Sequence, residues 1–216
     1  MAHGGQGDER SRDLERLLTF VDAVVAIAIT LLVLPLVDLV SGLQVDDSVV
    51  DLLARHEVEL GAFFLSFAVI SSLWFSQHRM MSSVVAEDRV VSRLLMLWTL
   101  TIVFLPFPTA LVAQEGHEIA TKILYIGTMV LSSACLALIA TWVRRHPSLH
   151  SPGTQPDPAL AWASTVALLV ALVLAVAVPA VGFWALSVVL LAAPARRWWG
   201  RGRPTVTPPA GPRSRA

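Results

Sequence analysis

The sequence predicts an all-α integral membrane protein with six transmembrane helices. The mean hydropathy is +0.67, and of the 216 residues 55% are hydrophobic and only 15% are charged, whereas a soluble domain carries about 25% charged residues. A helix needs about 20 apolar residues to cross a bilayer, and five such runs are followed by a shorter sixth. The predicted spans are residues 17–40, 60–77, 94–113, 119–143, 159–178 and 179–195.

The first span is predicted to stay uncleaved. Residues 17–40 form a longer apolar run than the roughly 7 to 15 residues of a signal-peptide core. The segment before this span mixes acidic residues, such as Asp8 and Asp13, with arginines. This charge pattern is also unlike the basic leader of a signal peptide.

The later spans carry local signals for bends and turns. The third contains Pro106 and Pro108, which predict a kink because proline removes a backbone hydrogen bond from a helix. The fifth span meets the sixth at Pro179, and Gly182 follows closely. These two residue types permit a tight turn between neighbouring helices. No internal repeat is evident, which gives no support to a transporter built from two repeats.

The distribution of arginine predicts that both termini are cytoplasmic. Basic residues concentrate in cytoplasmic loops, and this orientation puts every Lys and Arg except Arg55 and Lys122 inside. It also puts the acidic residues between Asp46 and Glu59 outside. We therefore expect a multi-pass protein of the cell membrane. Its parts are a cytoplasmic segment 1–16, a membrane domain 17–195 and a disordered Arg- and Pro-rich cytoplasmic tail 196–216.

Several function classes are excluded by composition and by missing motifs. The formal net charge is zero, so nucleic acid is not an expected partner. Cys135 is the single cysteine, which excludes an intrachain disulfide and a cysteine-based metal cluster. Metalloprotease, hydrolase and phosphate-binding motifs are absent from the sequence. We expect neither an enzyme nor a cofactor-binding protein.

A stripe of aliphatic residues follows one side of the first span. Ile27, Leu31 and Leu34 share this stripe because successive residues of a helix are rotated by about 100°. Asp38 continues it towards the outside. A stripe of this kind usually faces lipid or a core, and Thr30 beside it can hydrogen-bond a carbonyl of its own helix. Taken alone, the stripe indicates packing.

Three polar side chains lie inside predicted spans or at their ends. An ionisable group in a membrane costs at least about 2.5 kcal/mol, so Asp22 is expected to pair with a nearby arginine such as Arg16. Trp74 and His78 share a helix face because they are four residues apart. Taken alone, they are interpreted as an interfacial aromatic residue and a hydrated histidine.

Four motifs combine into one family pattern. They are Arg16-x-x-x-Phe20-x-Asp22, the apolar run 23–34, Trp74-x-x-x-His78 and Leu105-Pro106-Phe107-Pro108-Thr109. Together they resemble the bacterial branch of the endolysosomal potassium channel family, the transmembrane protein 175 type. The family motif in the first span is Arg-x-x-x-Phe-Ser-Asp, and Val21 stands where the family has serine. The hydroxyl and its local hydrogen bonds are therefore missing here. The motifs cover the first three spans, whereas the last three match by topology and length.

The resemblance implies a potassium-permeable channel that is not voltage-gated. It implies a homotetramer in which each subunit has six helices and the first helices line a central pore. By position, the hydrophobic constriction falls on Ile27, Leu31 and Leu34, and Thr30 matches a pore-near threonine that aids cation selectivity. The expected partners are further copies of the chain, the lipid bilayer and the permeant K⁺ ion, without a cofactor.

Further roles follow from the same resemblance. Four copies of Asp38 near the outer mouth are expected to raise the local cation concentration. The family has a structural or gating network of polar contacts around its first two helices. The positions that match this network are Arg16, Phe20, Asp22, Trp74 and His78. We therefore prefer pairing within this network as the role of Asp22.

Two other function classes stay open. A proton- or ion-coupled secondary transporter would use Asp22 and Asp38 as relay carboxylates and would show saturable, gradient-coupled flux. A non-conducting membrane scaffold would bind anionic lipid or a partner through its arginine-rich tail. The purified scaffold would pass no ions.

The predicted topology is testable with reporter fusions. A reporter after Arg215 and a reporter inserted between Asp46 and Asp51 should report opposite sides of the membrane, because an even number of spans separates the termini and an odd number separates the loop from the tail. Reporters on the same side would contradict both the topology and a pore built on it.

Overall fold

The computed structural model of this chain describes residues 3–40, 48–115, 118–151 and 156–177, most of which are helical. The helices are α1 (His3–Leu31), α2 (Leu34–Val40), α3 (Val49–Arg55), α4 (Glu57–Met81), α5 (Arg89–Phe104), α6 (Pro106–Glu115), α7 (Ile119–Arg145) and α8 (Pro158–Ala177), with a short 3₁₀ helix at Pro147–Leu149. The all-α class predicted from hydropathy is confirmed.

Five helical segments in the described ranges are long and apolar enough to cross a membrane. They are Ser11–Leu39, Glu57–Met81, Arg89–Gln114, Ile119–Arg145 and Pro158–Ala177. Each overlaps one of the first five predicted spans, so the chain is a multi-pass membrane protein. The predicted sixth span, 179–195, and the predicted tail, 196–216, lie outside the described residues.

Pro35 divides the first span into α1 and α2, a break that the sequence analysis did not predict. Proline lacks an N–H, and its ring clashes with the carbonyl four residues earlier. Before the proline, the helix tightens into a turn whose hydrogen bonds join residues three apart. Leu32 N donates to Ile29 O at 3.3 Å, and Val33 N donates to Thr30 O at 3.2 Å. The helical register of α1 therefore does not pass unchanged into α2.

The helix of the third span is interrupted at Leu105, directly before Pro106, where α5 ends and α6 begins. A buried cluster of hydroxyls lies beside it. Thr109 Oγ1 is 2.8 Å from the Leu105 carbonyl oxygen and 2.8 Å from Ser66 Oγ, which in turn lies 3.0 Å from the Tyr125 hydroxyl. These contacts join α4, α6 and α7 inside the bundle, where the polar groups satisfy one another in place of water.

The core of the bundle forms around α7. This helix packs against α4, α5, α6 and α8, and its residues Tyr125, Ile126, Ile139 and Val143 are almost completely buried. By contrast, α1 packs against α4 and α5 along one side. The bundle therefore surrounds α7 and leaves much of α1 at its margin.

The ends of α4 and α7 and the start of α5 meet at one end of the bundle. The connections that follow α4 and α7 are joined by two backbone hydrogen bonds, Val85 N to Leu149 O at 3.0 Å and Ser151 N to Ser83 O at 3.1 Å. We call this the arginine-rich end. Its arginines are Arg79, Arg89, Arg93, Arg144 and Arg145.

Hydrogen bonds to Asp88 link the start of α5 to the end of α7. Its Oδ1 accepts hydrogen bonds from Val90 N at 2.9 Å and Val91 N at 3.2 Å, which makes Asp88 the N-cap of α5. The same oxygen accepts the indole N–H of Trp142 at 3.0 Å. One carboxylate therefore satisfies helix-end amides and also links two membrane helices.

Asp88→Ala should destabilise the folded protein by about 1 to 2 kcal/mol, because both the cap and the indole contact are lost. Asp88→Asn should cost much less, since asparagine caps helices as well as aspartate does and its amide oxygen can accept the indole N–H. The apparent Tm of the purified protein in detergent is the measurement. Asp157→Ala is the matched control, because Asp157 accepts from Ala159 N at 3.0 Å at an exposed position before α8. An equal loss of Tm in both alanine variants would show that the Trp142 contact adds nothing.

Candidate functional site

One face of α1 is buried in the bundle. Its buried residues are Leu14, Val21, Val25, Ala28 and Leu32. They are spaced by three, four or seven residues, so they form a single stripe along the helix. Val21, where the resemblance predicts a serine, is fully buried in this stripe. An apolar side chain there needs no hydrogen-bond partner.

The residues of the predicted constriction lie on the exposed part of α1 and at the start of α2. The exposed fractions are 58% for Ile27, 38% for Leu31 and 54% for Leu34. Thr30 is also exposed, and its hydroxyl donates to the Ile27 carbonyl oxygen at 2.7 Å. All four side chains are therefore exposed, on the side of the first span that faces away from the core of the bundle.

Asp38 is exposed on α2, beyond the break at Pro35. A continuous helix would place it on the stripe of Ile27. The tightened turn between α1 and α2 interrupts that register. Its role at an outer mouth stays a prediction.

Three of the five residues of the predicted polar network are brought together. Trp74 donates its indole N–H to Asp22 Oδ1 at 2.8 Å, which ties α4 to α1. The rings of Trp74 and His78 lie 5.6 Å apart between centroids, at an interplanar angle of 34°. The partner of Asp22 is therefore a neutral donor that belongs to the predicted network, Trp74, and not the arginine that the sequence without the family resemblance indicates.

The other two residues of that network lie apart from Asp22. Arg16 is exposed and forms no ion pair with any described residue. Arg16 precedes Asp22 by six positions in the sequence, which places the two side chains about 120° apart around the helix. Phe20 is also exposed. Within one subunit, Arg16 and Phe20 belong to the exposed side of α1 rather than to the Asp22 contact.

A second contact of the same kind was missed by the sequence analysis. Trp142 donates to Asp88, and the rings of Trp142 and His146 lie 4.3 Å apart. Trp142-x-x-x-His146 repeats the spacing of Trp74-x-x-x-His78, and Asp88-Arg-Val-Val resembles Asp22-Ala-Val-Val. The repeated tryptophan and histidine spacing was the available signal. Two indole–carboxylate contacts thus link α1 to α4 and α5 to α7.

A cleft of about 630 Å³ opens at the arginine-rich end next to the second contact. Its lining residues are Glu87, Asp88, Arg89, His146, Ser148 and Leu149. In the ranges that the structure describes, no group of three His, Cys, Asp or Glu side chains is arranged to hold a metal ion. The mixed charges of the lining residues do not by themselves indicate one ligand.

Comparison with protein families matches residues 16–106 to the family described as "Endosomal/lysosomal potassium channel TMEM175". The matched range begins at Arg16 and ends at Pro106. It therefore contains the exposed stripe of α1, the Asp22 contact and the whole of α4. The four motifs that the sequence analysis used lie in this range or reach its end.

Two bacterial relatives are named potassium channels. One, from Streptomyces collinus, is 31% identical over 133 residues, which are 59% of this chain and 62% of the relative. The other, from Chamaesiphon minutus, is 37% identical over 103 residues, which are 46% of this chain and 49% of the relative. The chain thus spans less than two thirds of the length of these relatives.

The fold resembles the crystal structure of a lysosomal potassium-selective channel TMEM175 homolog from Chamaesiphon minutus. The TM-score is 0.68 and the sequence identity is 24%, with 88% of this chain and 100% of that chain covered. At this identity the likeness shows the fold. The family match, the two relatives and the fold together confirm the resemblance that the motifs predict, to the TMEM175 family, which is an ion channel family and not a class of enzymes.

Proposed function

We propose that this chain is one subunit of a homotetrameric, potassium-permeable channel of the leak type, with the first helices of four copies lining the pore. The observation that carries the proposal is the exposure of Ile27 and Leu31 on α1, whose opposite face is buried, together with the exposure of Leu34 at the start of α2. The two bacterial relatives named as potassium channels support K⁺ as the permeant ion.

Oligomerisation follows from the geometry of a pore. A single α1 cannot enclose a channel, whereas copies related by a closed rotation can. The buried stripe through Val21, Val25 and Ala28 already belongs to the subunit's own core. The opposite, exposed face of α1 is therefore the one that would meet the symmetry axis.

The proposed constriction acts through hydration. A ring of four Ile27 side chains, followed by rings of Leu31 and Leu34, offers no ligand to replace the water around an ion. Such apolar rings gate by dewetting. K⁺ is less strongly hydrated than Na⁺ and loses its water at a lower cost, so a modest preference for K⁺ is expected. Thr30 adds one hydroxyl oxygen per subunit near the ring, and Asp38 would attract cations to the outer mouth.

The orientation and the sixth helix are part of the same proposal. The arginine-rich end would face the cytoplasm of a bacterial cell, as the positive-inside rule requires. A sixth span at 179–195 would return the chain to that side, so that both termini are cytoplasmic.

Two rival functions are separated by one experiment. The purified full chain is reconstituted in liposomes, and K⁺ flux and reversal potentials are measured. A coupled transporter would show saturable flux that depends on a second gradient, and a scaffold would show no flux. Flux down the K⁺ gradient alone supports the channel.

The Asp22 contact should be needed for assembly or conduction. Asp22→Ala and Trp74→Phe each remove the same hydrogen bond to a charged group, worth about 1 to 2 kcal/mol. Each should lower the yield of assembled protein or its K⁺ flux, and the double variant should be no worse than either one.

Trp162→Phe is the matched control, because it also removes an indole hydrogen bond, from Trp162 Nε1 to Thr141 Oγ1 at 3.1 Å, at an exposed site on α8. Size-exclusion chromatography and liposome flux are the measurements. If Trp74→Phe assembles and conducts as well as Trp162→Phe, the contact has no functional role.

Ile27→Asn should raise conductance and lower the preference for K⁺, because four amides can solvate an ion where four apolar side chains could not. Leu31→Ala and Leu34→Ala should act in the same direction but less strongly, since they only widen the flanking rings. Currents and reversal potentials are recorded in bilayers from verified tetramers.

Val166→Asn on α8 is the matched control for Ile27→Asn. Val166 is 54% exposed, close to the 58% of Ile27, so the change has the same chemistry on another membrane helix. It should leave conductance unaltered. Unchanged current and selectivity in Ile27→Asn would mean that this stripe does not line the pore.

A further inference from the structure

The arginines at the start of α5 and at the end of α7 have no carboxylate partner among the described residues. Arg89, Arg93 and Arg145 are all exposed, and none forms an ion pair there. The nearby carboxylates are engaged elsewhere. Asp88 accepts two backbone amides and the Trp142 indole, and Glu87 accepts the Ser92 hydroxyl at 3.0 Å. The guanidinium groups are therefore free to bind an external anion.

The two α5 arginines lie on the same face as its exposed apolar residues. Arg89 and Arg93 are one turn apart, and Leu100 and Phe104 follow on the side of the helix opposite the core. Leu100 is 63% exposed, the highest value among the large apolar residues of α5. The opposite face is fully buried. Its residues are Val91, Leu95, Trp98 and Ile102. The exposed side of α5 is thus cationic at its start, at the arginine-rich end, and apolar towards Phe104.

The Asp88 contact brings a third arginine to the same region. Trp142 lies one turn before Arg145 on α7, and its indole is bonded to the residue next to Arg89. Arg145 also ends an exposed stripe, in which Leu138 and Leu131 precede it at intervals of seven residues. The helices α5 and α7, which pack against each other, therefore both present an exposed apolar stripe that ends in arginine.

We propose that this surface is a binding site for an anionic phospholipid. The phosphodiester would be held by Arg89, Arg93 and Arg145, and the acyl chains would lie along Leu100 and Phe104. Guanidinium groups bind phosphate oxygens in a bidentate manner, and a polybasic surface at the membrane boundary attracts anionic lipid. Arginines placed anywhere in the cytoplasmic loops would satisfy the positive-inside rule. Arg89 and Arg93 instead lie on the same helix face as the exposed apolar residues of α5. Charge complementarity selects lipid over a second copy of the chain as the occupant. The proposal does not depend on ion conduction.

Native mass spectrometry tests the headgroup contact. The full chain is purified in micelles that contain equal amounts of phosphatidylglycerol and phosphatidylcholine, and the lipid retained on the protein is counted. The parent should retain phosphatidylglycerol preferentially. Arg89→Gln/Arg93→Gln should weaken that retention by about fivefold for each arginine, and Arg89→Lys/Arg93→Lys should restore most of it. Arg93→Gln alone should weaken retention about fivefold. Arg55→Gln, which removes the same charge at the opposite end of the bundle, is its control and should leave the retention of phosphatidylglycerol unchanged.

Equal retention of the two lipids by the parent would overturn the proposal, and so would unchanged retention by Arg89→Gln/Arg93→Gln. A second measurement tests the occupant of the apolar stripe. A spin label at Leu100→Cys, in a Cys135→Ser background, should be accessible to molecular oxygen dissolved in the bilayer. A label shielded from oxygen would mean that protein covers this face, and the lipid site would then be wrong.

Discussion

Trp74 and Asp22 form a hydrogen bond inside the membrane-spanning part of the bundle, and the orientation of the first helix depends on it. The carboxylate is partly buried and accepts the indole N–H at 2.8 Å. On the same helix, Val21 and Val25 are buried against neighbouring helices. These contacts together fix the rotation of α1 about its axis. Once that rotation is set, Ile27 and Leu31 lie on the exposed side of α1, and every proposal about a pore depends on this outcome.

The prolines in the first and third spans have different consequences because different groups are nearby. At Pro106 the freed backbone lies beside Thr109, Ser66 and Tyr125, whose hydroxyls form a buried cluster. That interruption is fixed by side chains from three helices. At Pro35 the tightened turn involves only backbone groups of the first span. The break there lies between Leu31 and Leu34, so the proposed constriction extends over both α1 and α2, and Asp38 shares α2 with Leu34.

The sequence could predict the spans because a bilayer selects for apolar length, and hydropathy measures that directly. It could not predict the ends of the helices. For example, α1 already begins at His3, many residues before the apolar run starts at Leu17. Backbone hydrogen bonding inside a helix proceeds in water as well as in lipid. The Asp22 contact could be anticipated only through the family motif. The Asp88 contact was missed because Asp88 lies in a connection between spans and Trp142 lies near a helix end, where tryptophan is common for other reasons.

The exposed face of α1 differs in chemistry from the exposed faces of α5 and α8. The central part of the α5 face holds only apolar side chains, such as Met96, Leu100 and Val103, and α8 is similar from Val166 to Val173. Such faces are suited to acyl chains. The exposed face of the first span instead places Thr30 between Ile27 and Leu34, with Arg16 at one end and Asp38 at the other. Thr30 adds an exposed hydroxyl to this apolar face, and because that hydroxyl donates to the Ile27 carbonyl oxygen, its own oxygen is left to accept from water in the proposed pore.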